Sequence, residues 1–267
     1  MNNETLKQQV KAFWNQASCG TNMTQQQKFT TSYFEEIEEA RYRTEPEIFS
    51  FAQFTRFNGK KVLEVGVGAG TDFMQWVRAG TQAHGVDLTQ EAIDNVSHRL
   101  EIYGLQVADV RVADAENLPY PDNQFDLVYS WGVIHHSPNT IKCLEEIIRV
   151  AKPGGTIKIM IYNRHSLYAL YRWIFAGLLK GRPFQSLSKV LFYHQESIGT
   201  KAYTLKEMKN ILARYPVGIS QLTAPMTNHE CSYYKARLWR WPAYLAACLW
   251  GMRRSGFFML IELKKVI

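Results

Sequence analysis

At 267 residues, with 46% apolar and 13% aromatic side chains, the chain is long enough for one large domain or a core with an added cap, and too apolar to be disordered. Its net charge of +7 is uneven: residues 1–163 hold 15 Lys/Arg against 20 Asp/Glu, and residues 164–267 hold 16 against 4, so the second half suits an anionic partner or is a solvated basic surface. Four cysteines without C-x-x-C spacing indicate neither a zinc site nor a disulfide framework, and "MNNETLKQQV" has no signal-peptide core, so a cytoplasmic protein without a metal site is expected.

In chain order, residues 4–17 and 31–55 read as helices joined by the polar "CGTNMTQQQ". "KVLEV" is a β-branched apolar run stopped by glycine, hence a buried strand, and a helix over 71–79 follows with Asp72 in its favourable first turn. "QAHGVD" is the second strand. "LTQEAIDNVSHRLEIYG" is an amphipathic helix with Thr89 as its cap and Gly104 past its end. "VADVRVAD" and "FDLVYS" are the third and fourth strands, a helix over 139–151 stops at "KPGG", and "TIKIMIYN" is the fifth strand.

Beyond Tyr162 the pattern changes. "HSLYALYRWIFAGLLKGRPF" is an aromatic-rich basic helical stretch, and a loop-like region holds His194. "TLKEMKNILARY" is a helix whose Thr204 and Glu207 have capping-box spacing. "WPAYLAACLWGM" is too short for a bilayer, which takes about 20 residues. "SGFFMLIELKK" is strand-like and fits a last, antiparallel strand.

Alternating strands and helices imply a doubly wound α/β fold of Rossmann-like type, with its ligand crevice at the carboxyl ends of the strands. The glycine loop, Asp87, Asp114 and Ser130 all fall there. The expected organisation is an N-terminal helical lid (1–57), a core (58–164), a helical cap with late core elements (165–250) and a C-terminal strand (251–267).

The loop "EVGVGAGTD" carries Gly66, Gly68 and Gly70 as G-x-G-x-G, not the dinucleotide G-x-G-x-x-G, and has an acid, Glu64, at its start. A carboxylate there repels phosphate and attracts cations. Asp87, ending the second strand, is placed to accept from ribose hydroxyls, although such an acid also occurs as a plain helix cap. Asp114 in "VADAENLPY" is placed to accept an adenine amine. A ribose, an adenine, no phosphate and a positive centre describe S-adenosylmethionine.

Here the resemblance is plain. Residues 60–163 resemble a class I S-adenosylmethionine-dependent methyltransferase through "VLEVGVGAGTD", "HGVDLT", "DAENLPYPDNQFDLVYSWGVIHHSP" and "RVAKPGGTIKIMIY", in the right order over about 100 residues. Within that superfamily the chain looks most like the small-molecule branch that includes quinone-ring C-methyltransferases. The resemblance implies a seven-stranded sheet with a reversed last strand. It implies that Glu64, Gly66, Gly68 and Gly70 line the methionine and ribose side, that Leu88 packs on adenine, that Asp114 and Ala115 hold its edge, and that Ser130 and Trp131 lie near the methionine moiety. "FWNQASCGT" followed by "YFEEIEEARYRTEPEIFSF" is similar to a lid helix pair of some bacterial relatives, which makes Trp14, Cys19, Tyr33, Arg41 and Tyr42 lid candidates. Arg41 would meet a carboxylate of the cofactor and Tyr33 the substrate side; Trp14 and Tyr33 would equally serve as packing.

Methyl transfer needs a base only where the acceptor loses a proton. His135 and His136, just past the fourth strand, are the candidates, with one of the pair equally suited to a structural role. Tyr162, Asn163 and Arg164 leave the fifth strand on the crevice side and are expected to face substrate; His194, Tyr203 and His229 are expected to be structural. The aromatic, basic cap suits an acceptor with an apolar or aromatic body and an anionic group, and also peripheral contact with an anionic membrane. A nucleic-acid (RNA) methyltransferase is the main alternative; against it, "SWGV" stands where amino-group base methylases carry an N-P-P-Y type tetrapeptide. A non-enzymatic scaffold and a metalloid methyltransferase fit less well.

Overall fold

The computed structural model describes residues 2–227, 230 and 240–266. His229 and Cys231 lie outside the described residues. Seven strands, β1 (Lys61–Val65), β2 (Gln82–Asp87), β3 (Asp109–Val112), β4 (Phe125–Trp131), β5 (Ala151–Tyr162), β6 (Val217–Thr223) and β7 (Phe258–Lys265), form one sheet in the order β3-β2-β1-β4-β5-β7-β6. The pairs from β3 to β5 are parallel, and β7 runs antiparallel to both β5 and β6. This is the α/β, Rossmann-like sheet with a reversed last strand that the sequence implies.

The central strands β1, β4, β5 and β7 are buried on both faces along most of their length, which is why they read as nearly continuous apolar runs. Side chains alternate between two core layers. Met160 and Tyr162 of β5 and Phe258 and Leu260 of β7 join one layer with Ile48, Phe51 and Trp76. Ile157, Ile159 and Ile161 of β5 and Met259 and Ile261 of β7 join the other, with Leu144, Ile147 and Met208.

Among the described residues the helices are α1 (Asn3–Gln16), α2 (Thr31–Thr44), α3 (Glu47–Ala52), α4 (Thr71–Arg78), α5 (Gln90–Tyr103), α6 (Thr140–Val150), α7 (Leu167–Ala176), α8 (Leu187–His194), α9 (Leu205–Leu212) and α10 (Arg240–Trp250). The caps follow local chemistry. Thr89 Oγ1 accepts from Ala92 N–H, Gly104 closes α5 in the left-handed region, and Thr204 and Glu207 make the reciprocal capping box of α9.

Four expectations change. The helix expected over 31–55 is broken: α2 ends at Thr44, Pro46 caps α3, and Gln53 at φ 57° turns the chain into a 3₁₀ segment. "KPGG" does not separate helix from strand; β5 starts at Ala151 and runs through it, and the pairing slips there from Phe125↔Ala151 to Leu127↔Thr156. His194 is the last residue of α8, not a loop residue. β6, which the sequence did not single out, is one of the two edge strands, opposite β3.

Candidate functional site

At the carboxyl edge of β1, where strand order departs toward β2 on one side and β4 on the other, a cavity opens. Such switch points are where open parallel sheets bind ligands. One wall is the turn after β1. Gly66 is held at φ 86°, and a Cβ there would lie 2.2 Å from Val133 Cγ2. Gly68, at φ 53°, has open space where its Cβ would be. Gly70 serves packing instead: it begins α4 at φ 77° with Val96 of α5 against it, and it does not line the cavity.

Asp87 ties this turn to β2. Its Oδ2 accepts from Gly68 N–H at 3.1 Å, and its Oδ1 accepts from Thr89 N–H at 3.0 Å and Thr89 Oγ1 at 2.8 Å. A carboxylate offers about four acceptor directions, so at most one remains for a ligand. Burial raises the Asp87 carboxyl above its usual range, against the hydrogen bonds it accepts. Leu88, Asp114 and Ala115 continue the wall. Asp114 is itself occupied: Oδ2 accepts from Lys7 Nζ at 2.7 Å and Oδ1 from Glu116 N–H at 2.8 Å.

The floor is acidic. Glu64 is buried on the cavity wall, and its Oε2 has no hydrogen-bond partner. Burial and neighbouring Asp72 hold its carboxyl well above the ordinary range, opposed by Arg41. Asp72 accepts from Tyr129 Oη at 2.9 Å and Tyr42 Oη at 3.2 Å. Arg41 bridges Asp72 at 3.3 Å and Glu45 at 3.4 Å, and Trp131 Nε1 donates to Glu45 at 2.8 Å.

The far wall comes from α1, the loop after it, the β4–α6 loop and the turn after α8. Val10 and Trp14 of α1, Ser18 and Cys19 reach the cavity, as do His136, Tyr162 and Glu196. Trp14 meets the His136 ring edge-on at 5.3 Å between centroids.

The structure therefore gathers Glu64, Gly66, Gly68, Asp87, Leu88, Asp114, Ala115, Trp131, Arg41, His136 and Tyr162 around one cavity. It places the others elsewhere. Ser130 is buried and donates to Val65 O at 3.0 Å, because alternation along β4 turns it away from the side Trp131 faces. Tyr33 packs with Phe34, Ile37 and Ala69. Arg164 pairs with Glu207 and reaches Ala202 O. His135 is fully buried against Tyr162, with neither ring nitrogen hydrogen-bonded. Burial, with help from His136 and Lys201, holds its imidazole well below the usual range, so it is neutral. Sequence reasoning missed Lys7, Glu45 and Glu196. Glu45 had a signal in its i+4 spacing from Arg41; Glu196 had none.

With this geometry in view, residues 63–159 match the family model described as "Methyltransferase domain". The chain is 34% identical over 110 residues to norajmaline N-methyltransferase of Rauvolfia serpentina, covering 40% of this chain and 38% of that protein. It is 32% identical over 125 residues to malonyl-[acyl-carrier protein] O-methyltransferase of Erwinia billingiae, covering 46% and 47%. The chain thus spans less than half the length of these curated relatives. Its fold is similar to that of geranyl diphosphate C-methyltransferase from Streptomyces coelicolor, solved with Mg²⁺, geranyl diphosphate and S-adenosyl-L-homocysteine: TM-score 0.65, 14% identity and 98% of each chain covered.

Proposed function

We propose that this chain, which carries a class I S-adenosylmethionine-dependent methyltransferase domain, transfers a methyl group from S-adenosylmethionine to a small-molecule acceptor. The observation that carries this reading is the buried, unpartnered Oε2 of Glu64 beside a glycine turn locked to Asp87, in a crevice whose acids would repel a pyrophosphate. A cation placed against it would restore the charge that burial and Asp72 disfavour, so this carboxyl fits a cofactor ammonium or sulfonium. Gly66 and Gly68 would let the cofactor backbone approach, Asp87 would hold the ribose through its last open acceptor direction, and Leu88, Asp114 and Ala115 would bound the adenine. Arg41, already carrying Asp72 and Glu45, would face the cofactor carboxylate.

When bound, the cofactor supplies an electrophilic methyl group on a strong leaving group. The chain's own residues then need to orient the acceptor and keep water out. Trp14, Trp131, Met160 and Phe258 give the acceptor side of the cavity an apolar, aromatic lining, which suits an apolar or aromatic body. Of the cationic side chains on the wall, Lys7 is bridged to two carboxylates and Arg41, itself bridged to two, is the one assigned to the cofactor carboxylate, so an anionic group on the acceptor would find no further cation among the described lining residues. The named relatives span N-, O- and C-methyltransferases, so the narrower likeness to quinone-ring C-methyltransferases is carried no further.

Calorimetry with S-adenosylmethionine and with NAD⁺ tests the cofactor: saturable binding of the first and none of the second is expected, and the reverse would overturn the assignment. Methyl-labelled cofactor incubated with fractionated metabolites then identifies the acceptor by product mass.

A secondary reading concerns the basic second half. Phe175, Leu179 and Phe184 are exposed beside Lys180 and Arg182, a pairing of apolar and cationic side chains that suits peripheral contact with an anionic bilayer. No described helix is long and apolar enough to cross a membrane. Co-sedimentation with anionic but not neutral vesicles is expected; equal partition to both removes this reading.

A further inference from the structure

Glu196 stands in the turn after α8 at φ 55°, a left-handed conformation that costs an L residue roughly 1–2 kcal/mol. Non-glycine residues held there mark functional sites often enough to raise the question of purpose. Its Oε2 accepts from Tyr162 Oη at 2.8 Å and lies 3.2 Å from His136 Nε2. Three distant segments, the end of β5, the β4–α6 loop and the turn after α8, thus converge on the acceptor side of the cavity. His136 is almost closed off, while the Glu196 side chain keeps 30% of its surface open.

The hydrogen bonds behind His136 fix its tautomer. Thr200 Oγ1 has one proton and lies 2.6 Å from Gln195 O and 2.7 Å from Ser197 O, so it donates to a carbonyl. The same oxygen lies 3.0 Å from His136 Nδ1 and can only accept there, which puts a proton on Nδ1. Ser197 Oγ, 2.9 Å from Nδ1, can accept the same proton. In the neutral ring Nε2 is then a bare lone pair facing a carboxylate oxygen. Two acceptors at that separation call for a proton between them.

We propose that His136 Nε2 and Glu196 Oε2 form a shared proton site, held by Tyr162 and Thr200, which receives the proton of a hydroxyl- or amine-bearing acceptor. The proposal rests on the methyl-transfer reading and names the acceptor class within it: a neutral or cationic proton donor, since the described lining residues offer an anion no unpaired cation. As the acceptor's lone pair forms its bond to the methyl carbon, the sulfur–carbon bond breaks with its electron pair left on sulfur. The acceptor's proton enters the His136–Glu196 pair as the proton already held there is released to water along the exposed part of the Glu196 side chain. Glu45 and Cys19 share this wall and add no cation that would hold an anionic acceptor.

The test uses the full chain without acceptor. Long-range ¹⁵N–¹H spectra of the histidine rings are expected to show Nδ1 of His136 protonated and Nε2 intermediate between protonated and bare. In Glu196→Gln, Nε2 becomes a plain acceptor, while calorimetric affinity for S-adenosylmethionine stays within about twofold of wild type. With S-adenosyl-L-homocysteine bound, phenol and benzylamine shift the His136 resonances in wild type and benzoate does not. A His136 spectrum indifferent to Glu196→Gln, a bare Nδ1, or benzoate as the preferred probe would each overturn the proposal. Loss of cofactor binding in the wild-type protein would instead sink the methyl-transfer reading, so the two failures are distinct.

Discussion

The Asp87 carboxylate accepts the Gly68 amide N–H across 3.1 Å, so the acid that ends β2 holds the shape of the turn that follows β1. Asp87→Ala therefore removes more than a ligand contact: it frees two amides and the Thr89 hydroxyl as well. Affinity for S-adenosylmethionine should fall more than about tenfold by calorimetry. Because burial raises this carboxyl, wild-type affinity should also decline on acidification at a pH above the ordinary aspartate range. Unchanged affinity in the variant would contradict the assignment of this crevice.

The glycines of the turn should separate by variant. Gly66→Ala drives a methyl to 2.2 Å from Val133 at a backbone angle that L residues avoid, so it should cost roughly 2–5 kcal/mol and abolish cofactor binding. Gly68→Ala meets nothing within 4 Å and should cost only about 1 kcal/mol of stability, read by urea unfolding. Equal losses of stability in the two variants would refute the steric account.

What was legible in the sequence was whatever local chemistry decides. "KVLEV" needs no context to be a buried strand, and Thr89, Gly104, Thr204 and Glu207 cap helices through atoms a few residues away. Asp87, Glu64 and His136 were legible because strand ends in a parallel sheet share one edge. The rest depends on parity and on distant contacts. Ser130 and Trp131 are neighbours, and a strand can aim only one of them at the cavity. β6 carries Gly218 and takes its strand form from pairing with β7. Glu196 reaches His136 across 60 residues of chain, through a turn whose geometry no local pattern announces.

His135 should make folding stability depend on pH. His135 is neutral when folded because its imidazole is held well below the usual range, whereas the unfolded chain takes up a proton near pH 6.5. Folded stability is thus complete above that value and lost as pH falls below it, by up to about 1.4 kcal/mol per pH unit. His135→Leu, which replaces two unpartnered ring nitrogens by apolar volume, should flatten this slope between pH 5 and 6.5 in urea titrations, without changing cofactor affinity. An unaltered slope would show that the acid sensitivity arises elsewhere.

Lys7 should act as the latch of α1. Its ammonium bridges Asp114 and Glu116 at 2.7 Å each, and one and two turns further along the same helix, Val10 and Trp14 face the cavity. Half-buried paired charges of this kind resist salt better than exposed ones. Lys7→Met keeps the aliphatic stem and removes only the bridge, so α1 should still form but dock less tightly. Amide exchange over residues 3–16 should accelerate severalfold, and the cofactor off-rate should rise with it. If exchange accelerates while the off-rate does not, α1 packs on the core without gating the crevice. If neither changes, burial of Val10 and Leu6 alone holds the helix, and the two carboxylates must find their counter-charge in solvent.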